Sequence, residues 1–320
     1  MSMTADTIID RRRLRRSLTL WRVLAVLAAM IAVGVGAYAF MRRGVATGAN
    51  HIARVTISGF ISGDRQTLRM LDDIEKSAAS AVILTIDSPG GTAAGAEALH
   101  DKLRELAAKK PTVAVVQTIA ASGGYIAAIA ADRIFARQNS FVGSIGVIIQ
   151  YPDVSKLLDT VGVKVEEVKS SPLKAAPSGT SPTSPEARAA LQSLISDSYA
   201  WFKDLVRERR GYDDAALAVV SDGRVFTGRQ ALANRLVDSL GGEKDAIDWL
   251  VANRNIDKDL RVRDWRPRRE GAFDFLTTGA RLLRFVGLDG AAALLDQAGL
   301  YAGPSAGGGL LALWRPAVEQ

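Results

Sequence analysis

The chain has 320 residues, enough for one large domain with appendages, and no cysteine, which excludes disulfides, thiolate metal ligands and a cysteine nucleophile. Its formal net charge is +7, but eight arginines against two aspartates place +6 of that charge in the first 43 residues, which excludes a nucleic-acid-binding face spread over the domain. The two histidines, His51 and His100, are expected at the surface and, without cysteine, do not make a zinc site.

An uncharged run of 19 residues, 23–41, follows the basic N-terminal segment 1–22. Its length suffices to span a bilayer, and Trp21 and Tyr38 lie near its two ends. Because the arginines before the run outnumber those after it, we expect a single-pass anchor with a cytoplasmic N-terminus and an exported C-terminal part. A cleaved signal peptide is the alternative, since residues 37–39 resemble a cleavage site, but the length of the run favours the retained anchor.

After a short linker, 42–50, strand and helix patterns alternate. Apolar, β-branched runs predict strands at 52–59, 81–86, 112–117, 133–136, 142–148 and 163–168. Apolar spacing and alanine-rich composition predict helices at 65–77, 93–107, 126–130, 154–160, 186–209, 229–234 and 244–253. This alternation predicts an α/β fold of parallel βαβ units over residues 51–255. The Ser- and Pro-rich stretch 170–184 predicts a loop, and residues 256–320 predict a C-terminal extension with an amphipathic stretch at 273–297 and a small-residue-rich tail at 303–314.

Ser122 lies between the predicted strand 112–117 and the predicted helix 126–130, and two glycines follow it. A serine at this place can be an ordinary N-cap, which is the common role of the residue type. It can also be a nucleophile, because the unpaired N–H groups of a helix N-terminus stabilise developing negative charge beside its hydroxyl. The residues around Ser122 leave both interpretations open.

A second turn, DSPGG at residues 87–91, follows the neighbouring predicted strand. Because loops at the carboxyl ends of parallel strands line one crevice, backbone N–H groups from this turn and from the Ser122 turn can point at one spot, as an oxyanion hole requires. No histidine follows Ser122, so its base is expected to be Lys, Asp or Glu. The nearest downstream lysines are Lys156, Lys164, Lys169 and Lys174. Lys174 has small and apolar neighbours that would favour a neutral amine, but the residues alone support it no better than Lys169.

Four motifs occur in order: DSPGG at 87–91, ASGGY at 121–125, VGSIGV at 142–147 and GRVFTG at 223–228. Together they resemble the signal peptide peptidase A family, membrane-anchored serine peptidases of the ClpP/crotonase superfamily, over about residues 50–255. The resemblance implies a ClpP/crotonase-like ββα-repeat spiral fold. It also implies site residues: Ser122 as nucleophile, Lys174 as general base, Ser144 as the serine that holds the lysine, and the N–H groups of Gly91 and Gly123 as the oxyanion hole.

The function implied by this resemblance is a serine endopeptidase of the bacterial inner membrane, with its catalytic domain on the periplasmic side. It degrades signal peptides left in the membrane and needs no metal or nucleotide cofactor. The family also implies a ring-like homo-oligomer in which serine and lysine can come from adjacent protomers. Three alternatives remain: a broader membrane quality-control protease, a crotonase-like acyl-CoA enzyme, and a non-enzymatic membrane scaffold in which Ser122 only caps a helix.

Overall fold

The computed structural model describes residues 21–22, 49–267 and 311–313. The predicted anchor at 23–41, the amphipathic stretch at 273–297 and most of the tail at 303–314 lie outside the described residues. None of the helices in the described part of the chain has the length and apolarity to cross a membrane. The architecture that follows is that of the unit that begins at His51.

Nine strands of the described chain form one mixed sheet. They are β1 (His51–Ile61), β2 (Ala79–Thr92), β3 (Thr112–Ala121), β4 (Arg133–Ala136), β5 (Phe141–Gly143), β6 (Val225–Thr227), β7 (Ser239–Leu240), β8 (Val262–Trp265) and β9 (Leu311–Leu313). The helices after His51 are α1 (Arg65–Lys76), α2 (Ala93–Ala107), α3 (Gly123–Ile129), α4 (Ser155–Thr160), α5 (Pro185–Arg210), α6 (Asp214–Val220), α7 (Gly228–Ala233) and α8 (Glu243–Arg254).

The strand order β6-β5-β3-β2-β1-β8 forms the main path of the sheet, and β4 pairs with both β3 and β7. All these pairs are parallel except β5 with β6, while β9 adds to β2 in the antiparallel direction. The parallel β1-α1-β2-α2-β3 succession confirms the predicted α/β class. It also places the carboxyl ends of β2 and β3 side by side at one edge of the sheet.

Alternate residues of the central strands face two separate cores. Val82, Leu84 and Ile86 of β2 belong to the larger core, which α1, α2, α3 and α5 cover. Ala81 and Ile83 face the other side, where α8 packs. Helices on both faces explain why the strand sequences are continuously apolar.

The prediction of a strand at 163–168 is wrong. Val163 and Val165 are each 48% exposed and Val168 fully so, and none of them pairs with a described strand. Alternating valines satisfy the strand pattern, but a strand also needs a neighbour for its backbone groups, and this segment has none in the described chain. Lys164 therefore lies in an exposed irregular segment. Conversely, β2 and β3 extend beyond their predicted ends. The DSPGG motif at 87–91 belongs to β2, and Ala121 of the ASGGY motif belongs to β3.

The prediction that both histidines lie at the surface is also wrong. His51 is fully buried in β1, where its ring stacks on Trp265 at 5.9 Å and its Nε2 accepts a 3.1 Å hydrogen bond from the indole Nε1. His100 is 5% exposed in α2, and its Nε2 has no hydrogen-bond partner among the described residues. Its other ring nitrogen lies 3.2 Å from a carboxylate oxygen of Asp101.

Burial of His100 makes a prediction about stability and pH. Desolvation lowers the pKa of His100 below its ordinary 6.5, although the Asp101 carboxylate opposes that shift. The unfolded chain therefore binds a proton more readily than the folded one, so the stability that neutral His100 contributes is present above about pH 6.5 and is lost as the pH falls from 6.5 through the lower pKa of the folded protein. We expect the melting temperature to drop over this interval and the His100→Gln variant to show a smaller drop. Identical pH profiles for the two proteins would contradict this assignment.

Candidate active site

Ser122 sits on a strained turn between β3 and α3. Its φ of 53° and ψ of −117° are those of a turn position that normally takes glycine, and the residue is 1% exposed. It occupies the N-cap position of α3, but its hydroxyl makes no capping hydrogen bond. Its backbone instead holds the turn, since its N–H donates to the Gly143 carbonyl at 2.8 Å and its carbonyl accepts from Tyr125 N–H at 2.9 Å. The capping interpretation therefore does not account for the side chain.

The two glycines predicted to bind an oxyanion are brought together. A Cβ atom placed on Gly123 would lie 3.1 Å from the Gly91 nitrogen and 3.3 Å from the Gly90 Cα. A Cβ atom on Gly91 would lie 1.8 Å from the Ile61 carbonyl oxygen, so only glycine fits between β1 and α3. The N-terminus of α3 and the end of β2 thus meet backbone to backbone beside Ser122.

Asp87 connects β2 to β3 where the register between the two strands shifts. Its carboxylate accepts a 3.2 Å hydrogen bond from Ile119 N–H and a 3.4 Å one from the Thr118 hydroxyl. These bonds fix the part of β3 that leads to Ser122. Asp87 begins the DSPGG motif, but the motif alone predicts no role for its carboxylate.

Two arginines hold the far end of α3, and sequence reasoning missed both. Arg209 of α5 donates to the carbonyls of Ile129 and Ala131 at 2.8 and 3.0 Å, and Arg104 of α2 donates to that of Ala130 at 2.8 Å. These are the carbonyls that a helix C-terminus leaves unpaired, and cations are favourable there. Desolvation by burial lowers the pKa of Arg209, a sign that the guanidinium has left bulk water to reach them. The helix that begins after Ser122 is thereby held in place at its C-terminal end.

Ser144 follows β5 and adjoins the Ser122 turn through Gly143. Its φ is 52°, it is 8% exposed, and its N–H donates to the Arg224 carbonyl at 2.8 Å. Its hydroxyl makes no hydrogen bond within residues 49–267. The role of Ser144 in holding a lysine therefore stays a prediction.

Lys174, unlike the buried Ser122, lies at the surface of the described chain. It is exposed in the irregular segment after β5, in an open hollow of about 470 Å³ that it shares with Glu167 and Lys169. No hydrogen bond joins it to Ser122 or Ser144 in the described chain. Lys169 forms an ion pair with Glu167, whereas Lys174 has no carboxylate partner among the described residues. That difference favours Lys174 over Lys169 as a group available for proton transfer.

A segment of the chain's own C-terminal tail lies along the same edge. β9 pairs antiparallel with Gly90–Thr92, and Ala312 stands opposite Gly91. The strand edge beside the two glycines therefore accepts an extended peptide through backbone pairing.

Comparisons with known proteins find a peptidase family and several relatives named as proteases. Residues 104–257 match the sequence model of a protein family described as Peptidase family S49. A Synechocystis sp. protein, slr0021, provisionally named a protease, is 39% identical over 210 residues, which are 65% of this chain and 76% of that protein. An Enterococcus faecium protein, provisionally named signal peptide peptidase SppA, is 34% identical over 62% of this chain and 57% of its own length. Protease 4 of Salmonella typhi is 35% identical over 59% of this chain but only 31% of its own length.

The anchoring of α3 predicts a stability effect. Arg209→Met removes two hydrogen bonds and leaves two helix-end carbonyls unpaired, so we expect the free energy of unfolding to fall by about 1–3 kcal/mol. Arg209→Lys should not restore it, because an ammonium cannot reproduce the fork that reaches both carbonyls. Urea unfolding measures the effect. The matched control is Arg207→Met on the same helix, whose partners Asp204 and Asp214 are exposed, and which should change little. Equal losses in Arg209→Met and Arg207→Met would refute the anchoring role.

Proposed function

The chain belongs to peptidase family S49, the family of signal peptide peptidase A, and we propose that it is a membrane-anchored serine endopeptidase with Ser122 as nucleophile and Lys174 as general base. The observation that carries the proposal is the hydroxyl of Ser122. It is held on a strained turn, it makes no capping bond, and the backbone of Gly91 and Gly123 lies beside it. We further propose that the mixed sheet is that of a ClpP/crotonase-like spiral of ββα repeats.

The proposed reaction is acyl transfer. The neutral amine of Lys174 takes the proton of Ser122 Oγ as that oxygen attacks the peptide carbonyl carbon, and the N–H groups of Gly91 and Gly123 bind the oxyanion. The lysine ammonium then protonates the leaving nitrogen, which departs as an amine and leaves an ester on Ser122. Water then attacks the ester carbon while Lys174 takes its proton, and the resulting ammonium returns that proton to Ser122 Oγ as the ester bond breaks and the carboxylic acid product leaves.

Pairing of β9 with Gly90–Thr92 supports a peptide substrate. A peptide bound in that manner is extended, and its backbone is presented to Ser122. An acyl-CoA thioester would not use this backbone edge. We propose signal peptides in the membrane as substrates, since the uncharged run 23–41 would tether the enzyme to the bacterial inner membrane with its catalytic domain in the periplasm. A broader quality-control protease would use the same chemistry on more substrates.

The segment that carries Lys174 supports a homo-oligomer. Apolar side chains along it are exposed in the single chain, and several exposed apolar side chains on one segment are typical of an interaction surface. They are Leu157, Val161, Val163, Val165, Val168 and Leu173, each 48% or more exposed. We propose that this surface packs against a second copy in a ring-like assembly and brings Lys174 of one protomer to Ser122 of the next.

The proposal predicts which side chains are needed for activity. In the full-length chain purified in detergent, Ser122→Ala and Lys174→Ala should each lower the cleavage rate of a fluorogenic hydrophobic peptide by at least about 1,000-fold, because each removes a group that acts in every turnover. Lys169→Ala should retain activity. Undiminished cleavage by Ser122→Ala would end the proposal. An inactive Lys169→Ala beside an active Lys174→Ala would move the base to Lys169.

Mixing the two inactive variants tests the shared site. If serine and lysine come from different protomers, random co-assembly of Ser122→Ala and Lys174→Ala chains should restore about a quarter of the wild-type activity, since about one interface in four joins an intact serine to an intact lysine. No recovery in a confirmed mixed oligomer would place both groups in one protomer.

Gly123→Ala tests the oxyanion hole. The added methyl group would press on the Gly91 nitrogen at 3.1 Å and the Ala96 Cβ at 3.2 Å, while alanine favours the helix that begins at this residue. We therefore expect kcat to fall by about 100-fold, with little change in melting temperature. Gly242→Ala is the control, because its Cβ would meet atoms of Arg137 only at 3.8 Å or more. Full activity of Gly123→Ala would exclude this glycine from the hole.

A further inference from the structure

The sheet is interrupted just before the glycines of the candidate oxyanion hole. Ser58 of β1 pairs with Asp87 of β2, but Phe60 pairs with Gly90, so β2 has one more residue than β1 over this interval. Gly59 opposes the extra residue with a φ of +67°. The regular ladder of backbone hydrogen bonds cannot continue through such a bulge.

One buried hydroxyl bridges the interruption. Ser88 is fully buried, and its Oγ donates a 2.6 Å hydrogen bond to the Gly59 carbonyl while accepting a 3.1 Å bond from Gly90 N–H. Pro89, the next residue, has no N–H to contribute. The Ser88 side chain thus does at the bulge what ladder bonds do elsewhere between β1 and β2.

Ser88 also contacts the other half of the site. A Cβ atom on Gly124 would lie 2.5 Å from the Ser88 carbonyl oxygen and 3.2 Å from its Cβ, so the first turn of α3 rests directly on this residue. Gly91 follows two positions after Pro89 and faces Gly123. The position of Gly91 relative to α3 therefore depends on how β2 is held at Ser88.

We propose that Ser88 is a positioning residue for the oxyanion hole. Its hydroxyl fixes the bulge of β2 so that the N–H of Gly91 is aimed at the same point as that of Gly123. It contacts no substrate and acts through the backbone of Gly90 and Gly91. The inference rests on the proposed function of Ser122.

Removal of the hydroxyl should affect the transition state more than the bound substrate. Ser88→Ala leaves the Gly59 carbonyl and the Gly90 N–H without their partner, and the glycine segment can shift to find others. Because the oxyanion exists only after attack by Ser122, a displaced donor lowers kcat and leaves KM nearly unchanged. Small misplacements of such a donor cost about 10- to 100-fold in rate.

Ser77→Ala is the matched control. Ser77 lies just before β2, at the opposite end of that strand, and its hydroxyl has the same bonding pattern: it donates to the Ile74 carbonyl at 2.8 Å and accepts from Ala79 N–H at 3.1 Å. Kinetics of the full-length variants on the fluorogenic peptide should show kcat reduced about 10- to 100-fold in Ser88→Ala, with KM within about twofold. Ser77→Ala should match the wild type in both constants.

Binding of a peptide aldehyde gives a second measurement, since its adduct with Ser122 carries an oxyanion. Its affinity should fall in Ser88→Ala by the same factor as kcat.

If Ser88→Ala does not fold, Ser88→Cys retains a weaker donor of similar size and should show a partial loss of kcat that Ser77→Cys does not share. Equal kcat values in the Ser88 and Ser77 variants, with Ser122→Ala inactive, would overturn the positioning role alone. An active Ser122→Ala would instead overturn the proposed function.

Discussion

The close approach of two backbone segments is the constraint on which the candidate site depends. The end of β2 lies against β1 on one side and against the first turn of α3 on the other. No side chain fits at Gly91 or Gly124, and at Gly123 a methyl group would press on the Gly91 nitrogen. A Cβ atom at Gly91 would push β2 away from β1, and one at Gly124 would push α3 away from Ser88, so the N–H groups beside Ser122 would diverge. The strained backbone of Ser122 is tolerable because the core of the sheet holds both segments in place.

Hydrogen bonds from distant parts of the chain maintain this approach. Gly143 of β5 accepts from the Ser122 N–H, and Arg209 of α5 secures the opposite end of α3. Asp87 and Ser88, adjacent on β2, bond in opposite directions, to β3 and to β1 respectively. The Ser122 turn is thus supported from three sides by groups to which the proposed reaction assigns no step. Such support is what a preorganised oxyanion hole requires.

The sequence predicts local features of this arrangement well and distant ones poorly. Periodicity gives helix α2 and strand β4 with their observed bounds, and the two glycine-containing turns are recognisable from composition alone. Burial of His51 depends on Trp265, 214 positions away, and no local pattern contains that information. The false strand at 163–168 shows the converse, because its alternation is correct while a partner strand is missing. Arg209 and Ser88 escape prediction for the same reason as His51: their partners become neighbours only after folding.

The proposed catalytic groups are divided between a buried part of the chain and an exposed segment, and this division has a mechanistic consequence. Ser122, Gly91 and Gly123 lie together in one chain, whereas Lys174 is exposed in a segment that carries exposed apolar side chains such as Val168 and Leu173. A lysine serves as a general base when burial disfavours its charged form, and a single chain does not bury this one. In the proposed assembly a second copy would cover the apolar segment and desolvate the lysine in the same step. Peptide cleavage would then be confined to the assembled enzyme, and an isolated protomer would hold a structured nucleophile without a base.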